Sequence, residues 1–305
     1  MSHEDDVGLR RTATRIKRHI YWARTQGVGR LIEEDELDPR TRVANAWAKY
    51  RWRRVHHQAP GSARAVLLVG LQRSGTNMLV RGIERAPEFE VHNENDKAIF
   101  DRFRLRSDAI LRSSVLASPH THVLFKPLCD SHRTAELLDG LDVPTPPVAI
   151  WAYRSVDGRV RSSLAKFGDA NLQALRSIAA GQGGDLWQAQ RLSDDSLELI
   201  RSFDYASLSP ASASALFWCV RNRLYFEQGL DRRPDVILSS YDQVVADPEQ
   251  TMRSLCSHLG FPYKDELVAH VEVRANSTRE PLDLEPRVRA ACDELEQRLA
   301  AARPA

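Results

Sequence analysis

Along most of this chain short apolar runs alternate with stretches whose apolar residues recur at helical spacing. AVLLVG is followed by TNMLVRGIERA, HVLFKP by SHRTAELLDGL, PVAIWAYR by SVDGRVRSSLAKF, and DVILSSY by QVVADPEQTMRSLCSHLG. Runs that are apolar on both faces are what a parallel sheet needs when helices cover it on either side. The repetition of strand then helix therefore predicts βαβ units and an α/β fold, a parallel sheet flanked by helices. FEVH (89–92) is expected to add one more strand. Residues 168–228 carry no strand signal and are expected to form a helical insertion of the kind that shapes a substrate site. RVRAACDELEQRLAAAR reads as a closing amphipathic helix, and the chain holds no internal repeat or low-complexity tract.

The 305 residues are 42% hydrophobic and 28% charged, with 43 Lys and Arg against 41 Asp and Glu, which excludes a disordered chain and leaves room for a buried core. That near-neutral total hides an asymmetry. Residues 10–54 carry 13 basic and 5 acidic residues, a local net of 13 − 5 = +8, so the remainder is acidic. The expected organisation is a basic helical lead-in over 1–60, a short linker APGSA (59–63), and the α/β domain over 61–305. Two readings of the lead-in stand open: its aromatic residues pack on the domain while the arginines stay in water, or it makes a weak contact with a membrane surface. Nucleic acid is not expected as a partner, because the rest of the chain is acidic and offers no aromatic stacking platform. No apolar run is long enough to span a bilayer and the first residues lack a signal-like core, so a soluble cytoplasmic protein is expected. Cys129, Cys219, Cys256 and Cys292 are scattered, which points to free buried thiols rather than a disulfide framework or a zinc knuckle. The pair His56 and His57 has no Cys or carboxylate nearby at ligand spacing.

The sharpest chemical feature lies where the first apolar strand runs into Gly70-Leu71-Gln72-Arg73-Ser74-Gly75-Thr76-Asn77 and then into a helix. Glycines let the backbone approach an anion closely, and a new helix presents its positive end there, so the loop reads as a phosphate cradle. Arg73 adds a cation. The spacing of Gly70 and Gly75 matches the nucleoside-triphosphate P-loop, but the Lys and Ser/Thr that should follow are Thr76 and Asn77. A cradle with its cation inside the loop suits an anion bound without an obligatory metal.

A second constellation follows the strand AIWAY: Arg154, then a helix carrying Ser162 eight positions on, with Ser163 as its close competitor. Strand ends of a parallel sheet point at the ligand crevice. There the guanidinium can fork onto a phosphate and the hydroxyl can join it.

Taken together, QRSGT, RSVDGRVRSSL and SYDQVVADPEQTMRSLCSHLGFP resemble the sulfotransferases that use 3′-phosphoadenosine 5′-phosphosulfate, most nearly bacterial members. The resemblance runs over about 65–262. It implies a P-loop type three-layer fold and transfer of a sulfuryl group to an acceptor hydroxyl on a small molecule, glycan or lipid, with no metal required. It also implies that Arg73, Ser74, Gly75 and Thr76, with Asn77 beside them, hold the 5′-phosphosulfate, and that Arg154 and Ser162 hold the 3′-phosphate. Tyr241-Asp242 matches the family's third segment. The Arg-Lys-Gly element of the cytosolic eukaryotic branch has no counterpart, and Arg274 or Arg279 is the nearest substitute.

Sulfuryl transfer leaves the protein mostly positioning and charge stabilisation to do. Arg73 and the loop N–H groups are expected to neutralise charge on the leaving side, and Lys126, at the end of HVLFK, is a second cation. EVHNENDKAIF supplies the base candidates Glu94, His92 and Asp96. Glu94 comes first by resemblance, and His92 second because an imidazole titrates near the pH needed. Trp218 and Asn222, four apart, are expected to fix their helix against the site. The rival reading is a P-loop kinase or nucleotide hydrolase, and it requires the missing Lys and Ser/Thr.

Overall fold

The computed structural model describes residues 39–273 and 280–302. They fall into two compact units that divide between Arg51 and Trp52, within the helix α1 (Pro39–Val55). On its first part Trp47 and Tyr50 stack on each other at the surface, ring centres 5.6 Å apart, and on its last turn Trp52 stacks on His56 and His120. The rest of the basic lead-in, including Ile16, Ile20 and Trp22, lies outside the described residues. APGSA is not a loose tether: Gly61 and Ala63 are buried, and Gly61 N donates to Leu116 O.

The second unit is built on five parallel strands, β1 (Arg64–Gly70), β2 (Phe89–His92), β5 (His122–Phe125), β6 (Thr145–Tyr153) and β7 (Val236–Ser240), in the order β2-β5-β1-β6-β7. The first strand thus sits in the middle. The chain builds out to one side through β2 and β5, then crosses β1 to build out through β6 and β7. The crevice at the carboxyl ends of β1 and its neighbours is therefore the switch point where such sheets bind ligands. Side chains alternate between the two covered faces along β1, so Ala65 to Val69 are all apolar. Ala65, Leu67 and Val69 enter one core cluster and Val66 and Leu68 the other.

Helices α2 (Thr76–Ile83) and α10 (Pro248–Leu259) cover the face of Val66 and Leu68 through Leu79, Ile83, Met252 and Leu255. The other face is covered by α3 (Asp108–Ala117), α4 (Thr134–Gly140), α5 (Val156–Phe167), α8 (Pro210–Glu227) and α11 (Pro286–Ala301). This is the expected three-layer α/β sandwich. Between 168 and 228 the chain is helical without strands, in α6 (Ala170–Ala179), α7 (Asp194–Arg201) and α8. Ser209 caps α8, accepting from Ser212 N at 3.1 Å, and Pro210 opens it with the φ a first helical turn needs.

Two features depart from the sequence reading. QVVADPEQTMRSLCSHLG forms two helices, α9 (Tyr241–Ala246) and α10, because Pro248 cannot continue a helix and Asp247 instead caps the next one, accepting from Gln250 N at 3.0 Å. Helix α3 and the two-residue strands β3 (Phe100–Asp101) and β4 (Arg104–Leu105) had no forecast. The hairpin turns on Arg102 and Phe103, both at positive φ, which no residue type there announces.

Candidate functional site

The loop between β1 and α2 is shaped by close approaches. A Cβ on Gly70, at φ +119°, would lie 2.2 Å from the carbonyl oxygen of Ala152, and one on Gly75, at φ +85°, would lie 2.4 Å from Tyr241 Cδ2. Arg73 between them also adopts positive φ, +71°, a strained state for a side chain and typical of ligand loops. From below, Ser131 Oγ accepts from Gly70 N at 2.9 Å and pins the loop's start. No side chain caps the first turn of α2, and the buried Ser74 hydroxyl has no hydrogen-bond partner. A helix end left open next to an unsatisfied hydroxyl presents donors of the kind an anion can complete.

The second motif meets this loop across the sheet's edge. Arg73 Nε donates to Ser162 Oγ at 2.9 Å. The neighbouring Ser163 is fully buried and accepts from Asn171 Nδ2 at 2.9 Å, so of the two hydroxyls Ser162 is the one turned to the loop arginine. Arg154 leaves β6 with its guanidinium 4.1 Å from the centre of the Tyr241 ring, the same ring that closes over Gly75. Trp218 Nε1 donates to Arg154 O at 2.9 Å. Asn222 Nδ2 donates to Trp218 O, and Asn222 Oδ1 accepts from Trp151 Nε1. This fully buried pair therefore holds the Arg154 backbone from behind. Asp242 accepts from Ser155 N at 2.7 Å and from Ser155 Oγ at 3.2 Å, tying α9 to the start of α5. Glu296 of α11 accepts from Val156 N at 3.4 Å, and burial pushes its carboxyl up to about 7, with Asp242 and Asp157 adding to the rise.

On the other side of the crevice, Lys126 follows β5 and is almost fully buried. Its ammonium donates to Asn77 Oδ1 at 2.5 Å and lies 3.7 Å from Glu94 Oε1. Asn77 stands where a nucleotide P-loop offers a metal-binding hydroxyl. Here its side-chain oxygen is held by an ammonium, whose charge repels a divalent cation. The other two base candidates are occupied with each other: His92 Nδ1 is 2.7 Å from Asp96 Oδ2, and Nε2 is 3.3 Å from Glu90 Oε1, close enough for an ion pair though not aligned for a hydrogen bond. Burial works against charge on this imidazole, but Glu90 and Asp96 outweigh it and raise its pKa. Glu90 in turn is held down to about 2, chiefly by His92, with Ser118 Oγ donating to it at 2.7 Å. His92 is thus braced between two carboxylates that favour its charged form, which leaves Glu94, 3.7 Å from Lys126, as the base candidate beside a crevice cation.

Sequence reading missed Arg159, one turn before Ser162. It is buried and donates to Gln72 O, Ser214 O and Ser214 Oγ, and burial, aided by the charge on Arg73, pushes it down to about 9. The signal was there in GRVRSS, where i and i+3 share a helix face. Arg274 and Arg279 lie outside the described residues. Among the described residues no group of three His, Cys, Asp or Glu could hold a metal ion, and no helix is long and apolar enough to cross a membrane.

The fold and loop together define a parallel α/β protein with an uncapped helix end and an unpartnered hydroxyl at its switch point. No protein-family model matches the chain, and no curated protein matches its sequence. Solved structures do. A sulfotransferase from Alicyclobacillus acidocaldarius is 16% identical over 79% of this chain and 92% of its own, with a TM-score of 0.41. The sulfotransferase domain from the curacin biosynthetic pathway is 12% identical over 77% of this chain and 98% of its own, TM-score 0.43. The sulfotransferase domain of the Synechococcus PCC 7002 olefin synthase is 10% identical over 80% and 98%, TM-score 0.39. The resemblance read from the motifs thus meets sulfotransferases among the chain's structural neighbours. At such scores the likeness is a distant one of fold, and the chemistry of the crevice follows from its own residues.

Proposed function

We propose that this protein is a sulfotransferase that takes a sulfuryl group from 3′-phosphoadenosine 5′-phosphosulfate and places it on an acceptor hydroxyl of a small molecule, glycan or lipid. The observation that carries the reading is the Arg73–Ser162 hydrogen bond, which joins the two motifs over an uncapped helix end and the unpartnered Ser74 hydroxyl. Those orphaned groups fit a phosphorylated donor. Ser74, Gly75, Thr76 and Asn77 with Arg73 would hold its 5′ end, and Arg154 and Ser162 its 3′-phosphate. The donor, when bound, supplies the activated sulfuryl group.

The chain's own groups divide the remaining work. Arg73 and the first N–H groups of α2 counter negative charge on the leaving side, in a crevice where fixed donors need no reorganisation. Lys126 adds charge at the same edge and holds Asn77 in place. Glu94 takes the acceptor's proton at a carboxylate oxygen, and the Lys126 ammonium, 3.7 Å away, orients that carboxylate. His92, braced by Glu90 and Asp96, positions the turn that carries Glu94. The basic segment over 1–60 would bring the protein to an acidic or membrane-associated acceptor.

Calorimetric titration tests this. Wild type should bind 3′-phosphoadenosine 5′-phosphate tightly without metal, and Arg154→Ala should lose that binding. Preference for ATP with magnesium would overturn the proposal in favour of a kinase.

A further inference from the structure

A second polar cluster lies next to the loop and is unused by the donor. It is centred on the 3-10 turn Leu128–Arg133, which touches the loop twice: at Ser131, and at Cys129, whose Sγ accepts from Gln72 Nε2 at 3.5 Å. Burial pushes the Cys129 thiol up to about 12, with Glu94 and Asp130 adding and Arg104 and Arg221 opposing. One thiol therefore feels the candidate base and two arginines together.

Arg221, from the buried face of α8, is 3% exposed. It donates to the carbonyls of Gln188 and Gln190, and its guanidinium lies 5.3 Å from the centre of the Trp187 ring. Its Nη2 has no hydrogen-bond partner, and neither does Nδ1 of His132, 2% exposed, nor Oε1 of Gln188. The surrounding arginines are answered: Arg104 by Asp130 at 2.5 Å, Arg133 by Asp108 and Glu136, and Arg191 by Glu136. Among the described residues no carboxylate forms an ion pair with Arg221. The field it leaves is positive enough that His132, already disfavoured as a cation by burial, is pushed down to about 3 by Arg221, Arg104, Arg191 and Arg133. Arg221 is linked to His132 through its field and to Gln188 through that residue's backbone carbonyl, and each of the three keeps an unpaired buried polar atom, which is costly unless a ligand completes it.

We propose that Arg221, His132 and Gln188 form the anchoring subsite for the acceptor, and that the acceptor is a hydroxylated carboxylic acid of the sugar-acid kind. The inference rests on the sulfotransferase reading. A plain anion would satisfy Arg221 and leave the Gln188 oxygen unpaired, and a neutral polyol would do the reverse. A hydroxy acid satisfies both, its carboxylate on Arg221 Nη2 and its hydroxyls on His132 and Gln188.

The test titrates the full chain, saturated with 3′-phosphoadenosine 5′-phosphate, with D-glucuronate against methyl glucoside, 3-hydroxybutyrate against butane-1,3-diol, and inorganic sulfate. At least one acid should bind about tenfold or more tightly than its neutral partner. Arg221→Gln should lower that affinity at least about tenfold, as the loss of one charge-assisted hydrogen bond implies, with bisphosphate affinity unchanged. Gln188→Glu, which gives Arg221 an internal counter-charge, should do the same and carries the test if the first variant fails to fold. The proposal falls if no acid exceeds its neutral partner, if the variants bind acids as wild type does, or if sulfate binds as tightly as the acids. Wild type that binds no bisphosphate would instead overturn the sulfotransferase reading, and titration of the acids without it would still read the subsite.

Discussion

Gly75→Ala probes the join between the two motifs with the smallest change available. The added Cβ would stand 2.4 Å from Tyr241 Cδ2 and 3.2 Å from Cγ, about 1 Å short of ordinary contact at the nearer atom. Because the crowded atoms are near the root of the side chain, the whole ring must move. The backbone stays at φ +85°, where alanine costs about 1–2 kcal/mol, and driving Tyr241 off its rotamer costs roughly another 0.5–1.5 kcal/mol. The sum, about 1.5–3.5 kcal/mol, corresponds to a fall in melting temperature on the order of 3–14 °C for a domain of this size. The ring that moves also carries Arg154, so affinity for 3′-phosphoadenosine 5′-phosphate should drop about tenfold, the worth of roughly 1.4 kcal/mol at the phosphate contact. Differential scanning fluorimetry and calorimetry read the two effects. Gly140→Ala is the control, since a Cβ there meets nothing within 4 Å. A Gly75→Ala protein that melts and binds as wild type would refute the packing argument.

Other expectations concern single groups. Glu94→Gln should leave bisphosphate binding intact and lower turnover about 10²–10⁴-fold, and retained turnover would remove Glu94 as the base. Arg159→Met should match wild type in melting temperature or exceed it, since it removes a buried charge that no carboxylate among the described residues pairs with, yet bind the bisphosphate more weakly; equal affinity would show that Arg159 does not support the loop. Glu296 has a folded pKa raised above its unfolded value, so its contribution to stability is present below about 4.5 and lost as pH rises through about 7, with a slope of at most ~1.4 kcal/mol per pH unit. Glu296→Gln should flatten thermal stability across that window, and an unchanged pH profile would contradict the assignment.

The sheet was legible because strands buried on both faces must carry continuous apolar runs, such as AVLLV in β1 and VIL in β7. Helix α3 was not, since its buried residues, Leu111 and Val115, are few and its start depends on one cap, Ser107 Oγ accepting from Ile110 N at 3.3 Å. In the site, the loop and the Arg154 to Ser162 spacing are local motifs and could be read. The state of His92 could not, because it depends on Asp96 folding back across a turn and on Glu90 sharing its strand face. Arg159 and Arg221 were hidden by the ordinary expectation that arginine faces water. Only the packing of α8 shows that both are buried.

The central claim is that two motifs bind the two ends of one ligand. Its most direct measurement compares 3′-phosphoadenosine 5′-phosphate with adenosine 5′-monophosphate by calorimetry on wild type and Ser162→Ala. Wild type should prefer the bisphosphate at least about tenfold, as a charge-assisted phosphate contact implies, and the variant should lose most of that preference, its affinity for the bisphosphate falling further than that for the monophosphate. Equal affinity of wild type for the two nucleotides would contradict the account.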